Sequence, residues 1–281
     1  IMTMSRSEKL KEELRSILLD QTRLLDHLIR NLVQLDSSDA ELREVADTII
    51  LMLQSVGVSI HSILRLTESI DMAIKDCFGI SRTVSEMSIN VAYIAASDVE
   101  VARRAKAHAF QKQFRDLERL STTADVEIGV ASNSVPSASD IPGMSEALEM
   151  FTDKKGKEIR DWAADSLDNR IRKVEDVSAT ASTSLAGSKF SIYRHSSELL
   201  HGTYFGVIYF WTSPSGGQLD RNQFEDQWGH NHFVTVFTAA FFGVIGAIEC
   251  CSSRFEFEHY SDATQQMIKR TKELLDLETL T

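Results

Sequence analysis

Proline is the residue that most constrains how this chain can fold, because the sequence contains only three prolines, at positions 136, 142 and 214. A proline inside a helix costs about 3 kcal/mol, so the stretches 1–135, 143–213 and 215–281 hold no obligatory helix breaker. The 13 glycines are too few for the closely spaced turns of a β-sandwich or barrel. The sequence therefore predicts an all-α fold.

Apolar residues recur every three to four positions, which is the period of an amphipathic helix. This spacing predicts one helix over about 5–35 and another that begins after Ser38 and Asp39, which are good capping residues. Further helices are predicted over about 79–96, 99–121, 144–180, 190–211, 223–252 and 260–278. We expect a helical bundle of about seven to nine helices, with long antiparallel members.

The most apolar stretch runs from Gly229 to Ile248, 20 residues without Asp, Glu, Lys or Arg. A stretch of that length nearly suffices to span a bilayer. His230, Asn231 and His232 near its start, and the lack of a flanking Lys/Arg cluster, argue against a membrane span. We expect a helix over about 229–252 that is buried on all sides by its neighbours.

The chain is expected to form a single helical domain over 1–281. Within it, the sequence suggests an N-terminal helical hairpin or extension at 1–75, core helices at 76–212 and a C-terminal helical pair at 213–281. The Ser, Thr, Asn and Gly of residues 121–143, together with Pro136 and Pro142, predict a flexible loop.

Charge and cysteine content bound the environment. The 30 Lys and Arg residues against 41 Asp and Glu give a net charge of −11, which disfavours a general nucleic-acid or anionic-membrane binder. Cys77, Cys250 and Cys251 have neither disulfide nor metal-site spacing. With charges throughout 1–30 and no signal-peptide pattern there, we expect a cytoplasmic protein that does not associate with membranes.

Two polar stripes interrupt otherwise apolar helices. The predicted helix at 79–96 carries Arg82, Glu86, Asn90 and Tyr93, and the predicted helix at 190–211 carries Tyr193, Arg194, Ser197, Glu198 and His201. Because a buried unpaired charge costs several kcal/mol, the two stripes are expected to face each other. One outcome is a buried ion-pair network that sets helix register. The other is a polar seam that opens to a cleft, where Arg194 binds an anion and His201 titrates near neutral pH.

Arg194-x6-His201, with a polar residue directly after the arginine and an apolar helix following, resembles the Arg-x4-6-His signature of the HEPN superfamily. That resemblance implies an all-helical domain, in many members a metal-independent ribonuclease of toxin–antitoxin, antiphage-defence or CRISPR systems, whose motifs meet across a homodimer. The signature also occurs at Arg103-x4-His108 and Arg254-x4-His259. The combined stripes are also similar to an uncharacterised family of bacterial helical domains of unknown function, over about residues 70–210.

The chemistry that the HEPN resemblance implies is attack of a ribose 2′-hydroxyl on the adjacent phosphate. His201 would act as general base or acid and Arg194 would stabilise the phosphate charge, while Glu198 would need neutralisation by Arg194 or Arg82. An RNA substrate needs local positive charge. The basic helix near 102–119 offers it or is simply a solvated helix face, and its basic residues are Arg103, Arg104, Lys106, Lys112, Arg115 and Arg119.

Two alternatives remain open at the level of sequence. The first is a non-catalytic interaction or regulatory module that uses the polar seam structurally. The second is a di-iron carboxylate bundle, whose ligands would be Glu198 with His201, Glu256 with His259, and Glu86 and Glu249. No Walker loop, dinucleotide fingerprint, nucleophile elbow or zinc motif is present. We expect no cofactor or metal, a homodimer formed through an apolar helix face, and RNA and a cognate antitoxin or regulatory protein as partners.

Overall fold

A computed structural model of the chain describes residues 5–36, 38–117, 119–129, 136–212 and 229–279, with side chains up to residue 275. The described residues form ten α-helices, so the all-α prediction is confirmed and the predicted seven to nine helices are too few. The helices are α1 Arg6–Val33, α2 Ala40–Leu66, α3 Ile74–Ala95, α4 Val99–Leu117, α5 Met144–Met150, α6 Leu167–Glu175, α7 Ala179–Leu200, α8 Tyr204–Trp211, α9 Gly229–Arg254 and α10 His259–Thr279.

The chain separates into two compact units. Unit 1 consists of Ile1–Ser97 and Leu167–Thr281, and unit 2 of Asp98–Ser166. This division cuts through the stretch 76–212, which the sequence suggested as one set of core helices. Residues within the expected loop at 121–143 form a small antiparallel hairpin of β1 Leu120–Thr123 and β2 Val126–Gly129, followed by a 3₁₀ turn at Ala138–Asp140.

Side-chain caps fix where several helices begin. Ser5 and Glu8 form a reciprocal capping box at the start of α1. The Asp39 carboxylate accepts hydrogen bonds from the backbone N–H groups of Glu41 and Leu42 at the start of α2. The predicted cap at Asp39 is therefore confirmed.

The predicted continuous helix over 190–211 is wrong. α7 ends at Leu200, Gly202 adopts a left-handed φ of +63°, and Thr203 caps a separate helix, α8, by accepting a hydrogen bond from the Gly206 N–H. At its other end α7 begins at Ala179, capped by Ser178, within a Ser/Thr/Ala stretch of low apolar content.

α9 is the centre of unit 1 and packs against α1, α3, α7 and α10. Three of its backbone carbonyls accept an additional hydrogen bond from another helix: Val236 from Ser81 at 2.9 Å, Ala239 from Ser188 at 2.7 Å, and Phe241 from Gln21 at 2.9 Å. A Cβ added at Gly246 would lie 2.5 Å from Leu185 Cγ, so glycine allows α7 to approach α9 closely. Ser188, a polar residue of low helix propensity in α7, therefore contributes to the packing of α7 against α9.

Within the described ranges, two helices, α2 and α9, are long and apolar enough to cross a membrane on length and composition alone. The most apolar window of α9 is 78% buried inside the protein, in line with the prediction of a core helix. The corresponding window of α2 is only 28% buried. Residues 213–228, which include the predicted start of the helix over 223–252, lie outside the described residues.

Candidate functional site

The outer face of α7 carries both residues of the Arg-x6-His motif. Phe190, Arg194, Ser197 and His201 follow one another at spacings of four, three and four, which keeps them on one side of a helix. Arg194 and His201 are exposed, and His201 is the C-cap of α7. Helix geometry places these two within roughly 20° of each other around the axis and about 10 Å apart along it.

Arg194 is available to a ligand. Its guanidinium carbon lies 5.8 Å from the centre of the Phe205 ring, a cation–π contact that does not itself require an N–H donor. Neither Arg194 nor His201 forms an ion pair with any carboxylate in the part of the chain that the structure describes. Arg194 therefore does not neutralise Glu198 through an ion pair.

Glu198 has a structural partner instead. The Thr203 hydroxyl donates to Glu198 Oε2 at 2.5 Å, while the same hydroxyl accepts from the Gly206 N–H and so caps α8. Glu198 is half-buried, and its carboxylate is held at the turn that joins α7 to α8. This contact ties Glu198 to the local fold, whereas its predicted catalytic role stays a prediction.

The polar stripe of α3 finds one partner within itself and another on α7. Arg82 Nε donates to Glu86 Oε1 at 2.7 Å, and the Arg82 guanidinium lies 4.4 Å from the centre of the Tyr193 ring. Arg82 therefore pairs within its own stripe and contacts the α7 stripe at the Tyr193 ring, so the two stripes meet there.

Further along α3, the partner comes from α6. Arg170 is buried and donates to Asn90 Oδ1 at 2.5 Å, with its guanidinium 5.9 Å from the centre of the Tyr93 ring. Arg170 was not predicted as a site residue, because the sequence of the nine-residue polar helix α6 does not indicate which of its arginines is buried.

A groove of about 700 Å³ lies beside the outer face of α7, lined by residues of α6, α7, α8 and α9. The His195 and Tyr209 rings stack there with centroids 4.0 Å apart and planes 6° from parallel. Lys189 pairs with Asp168 at 2.7 Å at the edge of the groove, and Arg194 also lines it. The groove therefore combines an aromatic surface with two cations and one carboxylate.

The stacking of His195 on Tyr209 was not predicted from the sequence. In the predicted continuous helix, 14 positions separate them, or about 21 Å along the axis. The turn at Gly202 and Thr203 brings α8 back against α7 and stacks the two rings. The glycine followed by a capping threonine was the available signal.

Burial determines the charge state of the histidines near the groove. Burial, reinforced by the nearby Arg194 charge, lowers the pKa of His195. Burial lowers the pKa of His232 to about 4, although its hydrogen bond to the Phe210 carbonyl acts in the opposite direction. His232 is 1% exposed and stacks on the Phe210 ring. Both imidazoles are therefore neutral at pH 7.

The basic residues of α4 have partners within unit 2. Arg104 Nε donates to the Trp162 carbonyl at 2.8 Å, Lys112 pairs with Glu158 at 2.6 Å, and Arg115 donates to Gln111 and to Thr152. Arg103 pairs with Glu100 at 2.6 Å, and Lys106 is exposed. Most of these side chains hold α4 to the segment that follows α5. Their binding of nucleic acid stays a prediction.

The residues required by the dimetal alternative do not come together. Among the described residues, no three His, Cys, Asp or Glu side chains form a group that could hold a metal ion. Glu86 pairs with Arg82, whereas Glu249 is buried and accepts hydrogen bonds from Ser261 and Thr264 of α10. The dimetal hypothesis therefore has no ligand set in this part of the chain.

The fold and the outer face of α7 define an all-helical protein with an exposed Arg/His pair beside an aromatic groove. Residues 47–218, well over half of the chain, match the family of unknown function DUF5677. The chain belongs to this family, in agreement with the predicted likeness to an uncharacterised helical family. No curated protein and no solved structure matches it significantly. These comparisons lend no support to the HEPN resemblance.

Proposed function

We propose that this protein is a metal-independent ribonuclease that cleaves single-stranded RNA on the outer face of α7. The observation that carries the proposal is the exposure of Arg194 and His201 on one helix face, without a carboxylate partner among the described residues. A phosphate can therefore reach the guanidinium without displacing an internal ion pair.

Exposed aromatic rings support single-stranded RNA as the substrate. Phe190, one turn before Arg194, is 89% exposed, and Tyr204, just after His201, is 79% exposed. Aromatic rings in water next to cations are the usual means of binding unpaired bases, which stack on them. Confining RNA to this face also accommodates the net charge of −11, because the interaction is local.

The proposed reaction is transesterification at one phosphate. The 2′-oxygen bonds to phosphorus, the bond to the 5′-oxygen breaks, and the 2′ proton reaches the departing 5′-oxygen by way of His201 and water. Arg194 stabilises the charge that develops on the phosphate oxygens. The products are a 2′,3′-cyclic phosphate and a 5′-hydroxyl end.

The test is cleavage of an end-labelled single-stranded RNA by purified protein in EDTA. We expect cleavage by the wild type and a loss of about 10²–10⁴-fold in His201→Ala, the range for removal of a proton-transfer group. His259→Ala is the matched control, because His259 is also exposed and belongs to the competing Arg254-x4-His259 motif. Absence of cleavage by the wild type, or equal activity in His201→Ala, contradicts the proposal.

A second candidate function is that of a non-catalytic interaction module. The observation that favours it is the exposed apolar surface of α8, where Phe205, Val207 and Ile208 are 47%, 44% and 40% exposed. Exposed apolar patches of this kind mark protein interaction sites. In that case growth and RNA integrity in cells that express the wild type and His201→Ala would be the same.

A further inference from the structure

α2 presents an exposed stripe on the side away from α3. Six residues recur along it at spacings of four, three, four, three and four, and all six are exposed: Asp47, Leu51, Gln54, Val58, His61 and Arg65. This spacing averages about 3.6 residues, the period of an α-helix, so the six residues form one line along a single face of α2. Leu51 is 69% and Val58 is 68% exposed, so the apolar positions of the repeat lack cover within the described residues.

α2 is more apolar than its packing within unit 1 explains. Its most apolar window has a mean hydropathy of 1.6, close to the 1.9 of α9, yet only 28% of that window is buried compared with 78% for α9. The buried side of α2 already packs on α1 and α3. The remaining apolar residues face outward.

The charges along the stripe run in one direction. Asp47, which pairs with Arg43 of the same helix at 3.0 Å and is half exposed, stands at its N-terminal end, and Arg65 stands at its C-terminal end, with Gln54 and Val58 near the middle. If a second α2 runs antiparallel about a two-fold axis near Val56, Asp47 meets Arg65 of the copy and the reverse pair forms at the other end. The same register sets Leu51 opposite His61 and Gln54 opposite Val58. The stripe is therefore complementary to itself.

We propose that this face of α2 binds a second copy of the chain, in an antiparallel, two-fold symmetric homodimer. A groove of about 470 Å³ between α1 and α2 adjoins the stripe. Its lining includes Leu19, Ile29 and Gly57, and Leu19 is 43% exposed. The side chains of the second α2 pack into this groove, so both helices of the α1–α2 pair contribute to the interface.

The test is the oligomeric state of the full chain, measured by sedimentation velocity over a series of concentrations. The wild type is expected to be a dimer, and Leu51→Ser/Val58→Ser is expected to raise the dimer dissociation constant at least about tenfold. Asp47→Arg and Arg65→Asp should each weaken the dimer, whereas Asp47→Arg/Arg65→Asp should restore it, because each pair then forms with its charges exchanged. Unchanged circular dichroism would show that the variants fold.

The matched control is Phe205→Ser/Ile208→Ser, which removes two exposed apolar residues from α8. Dimers that persist in the α2 variants but dissociate in the α8 control would overturn the proposal. So would a wild type that is monomeric at every concentration. Co-flotation of a monomeric wild type with phosphatidylcholine vesicles would assign the face to a membrane, and would also overturn it.

Discussion

The polar stripes of α3 and α7 have similar side chains but different surroundings. On α3, Arg82 pairs with Glu86 and covers Tyr193, and Asn90 accepts from Arg170. On α7, Arg194 and His201 are exposed. The difference arises from a neighbouring helix, because α6 supplies Arg170 to α3. A polar stripe thus marks helix positions that need a partner, and the packing of other helices decides whether that partner is internal or external.

The largest expected effect on stability is at the buried His232, in comparison with the exposed His201. The His232 pKa is lowered to about 4, against about 6.5 in the unfolded chain, so its stabilising contribution is complete above pH 6.5 and is lost as pH falls towards 4. The shift corresponds to about 3 kcal/mol. Urea unfolding from pH 7 to pH 4 should show this loss in the wild type and in His201→Ala, and a smaller loss in His232→Phe, where the lowered pKa of His195 still contributes. If the free energy of unfolding depends on pH identically in all three proteins, the buried His232 contributes no more to stability than the exposed His201.

Removal of Arg170 should have the next largest effect. Arg170→Ala removes a buried guanidinium and leaves the half-buried Asn90 without its donor, so the free energy of unfolding should fall by about 2 kcal/mol. Arg172→Ala, on the exposed side of the same helix, is the control and should cost under about 0.5 kcal/mol. If chemical denaturation shows that Arg170→Ala and Arg172→Ala lower the free energy of unfolding equally, the contact of Arg170 with Asn90 does not stabilise the polar stripe of α3.

A smaller effect is expected at Arg82. Arg82→Met keeps the side-chain stem but removes the ion pair with Glu86 and the cation–π contact with Tyr193, so a loss of about 1 kcal/mol is expected. A double-mutant cycle with Tyr193→Leu isolates the part that links α3 to α7. A coupling energy of zero would mean that the ring contact contributes nothing.

The smallest effect on stability should occur at the outer face of α7. Arg194→Ala and His201→Ala remove exposed side chains and should leave the free energy of unfolding within about 0.5 kcal/mol of the wild type. If Arg194→Ala or His201→Ala destabilises the protein as much as Arg170→Ala does, the α7 stripe is as structural as that of α3.

The helices at the two ends of the chain could be predicted well from the sequence. The apolar period of α1 and α2, the cap at Asp39 and the uncharged length of α9 are local signals, and each led to the observed helix. The start of α7 was missed because Ser182 and Ser188 resemble loop residues until they donate to backbone carbonyls of α6 and α9. Whether a small polar residue belongs to a core depends on what it contacts, which its own helix does not specify.

The candidate site was predictable only in part. The exposed Arg194 and His201 come from a motif within one helix, so sequence spacing sufficed to place them together. The groove depends on the turn at Gly202, which brings Tyr209 onto His195, and the α3 stripe depends on Arg170, which is 80 positions from Asn90. Contacts between distant segments have no signature in the spacing of either segment.

The hydrogen bond from Gln21 to the Phe241 carbonyl joins residues 220 positions apart. During synthesis from the N-terminus, α1, α2 and α3 leave the ribosome long before α9 exists, and the whole of unit 2 is made in between. The apolar surfaces that α9 covers in the folded protein stay exposed during that interval and can contact other nascent chains. Production of this protein should therefore depend strongly on translation rate and on the supply of chaperones, even though every helix in unit 1 is regular.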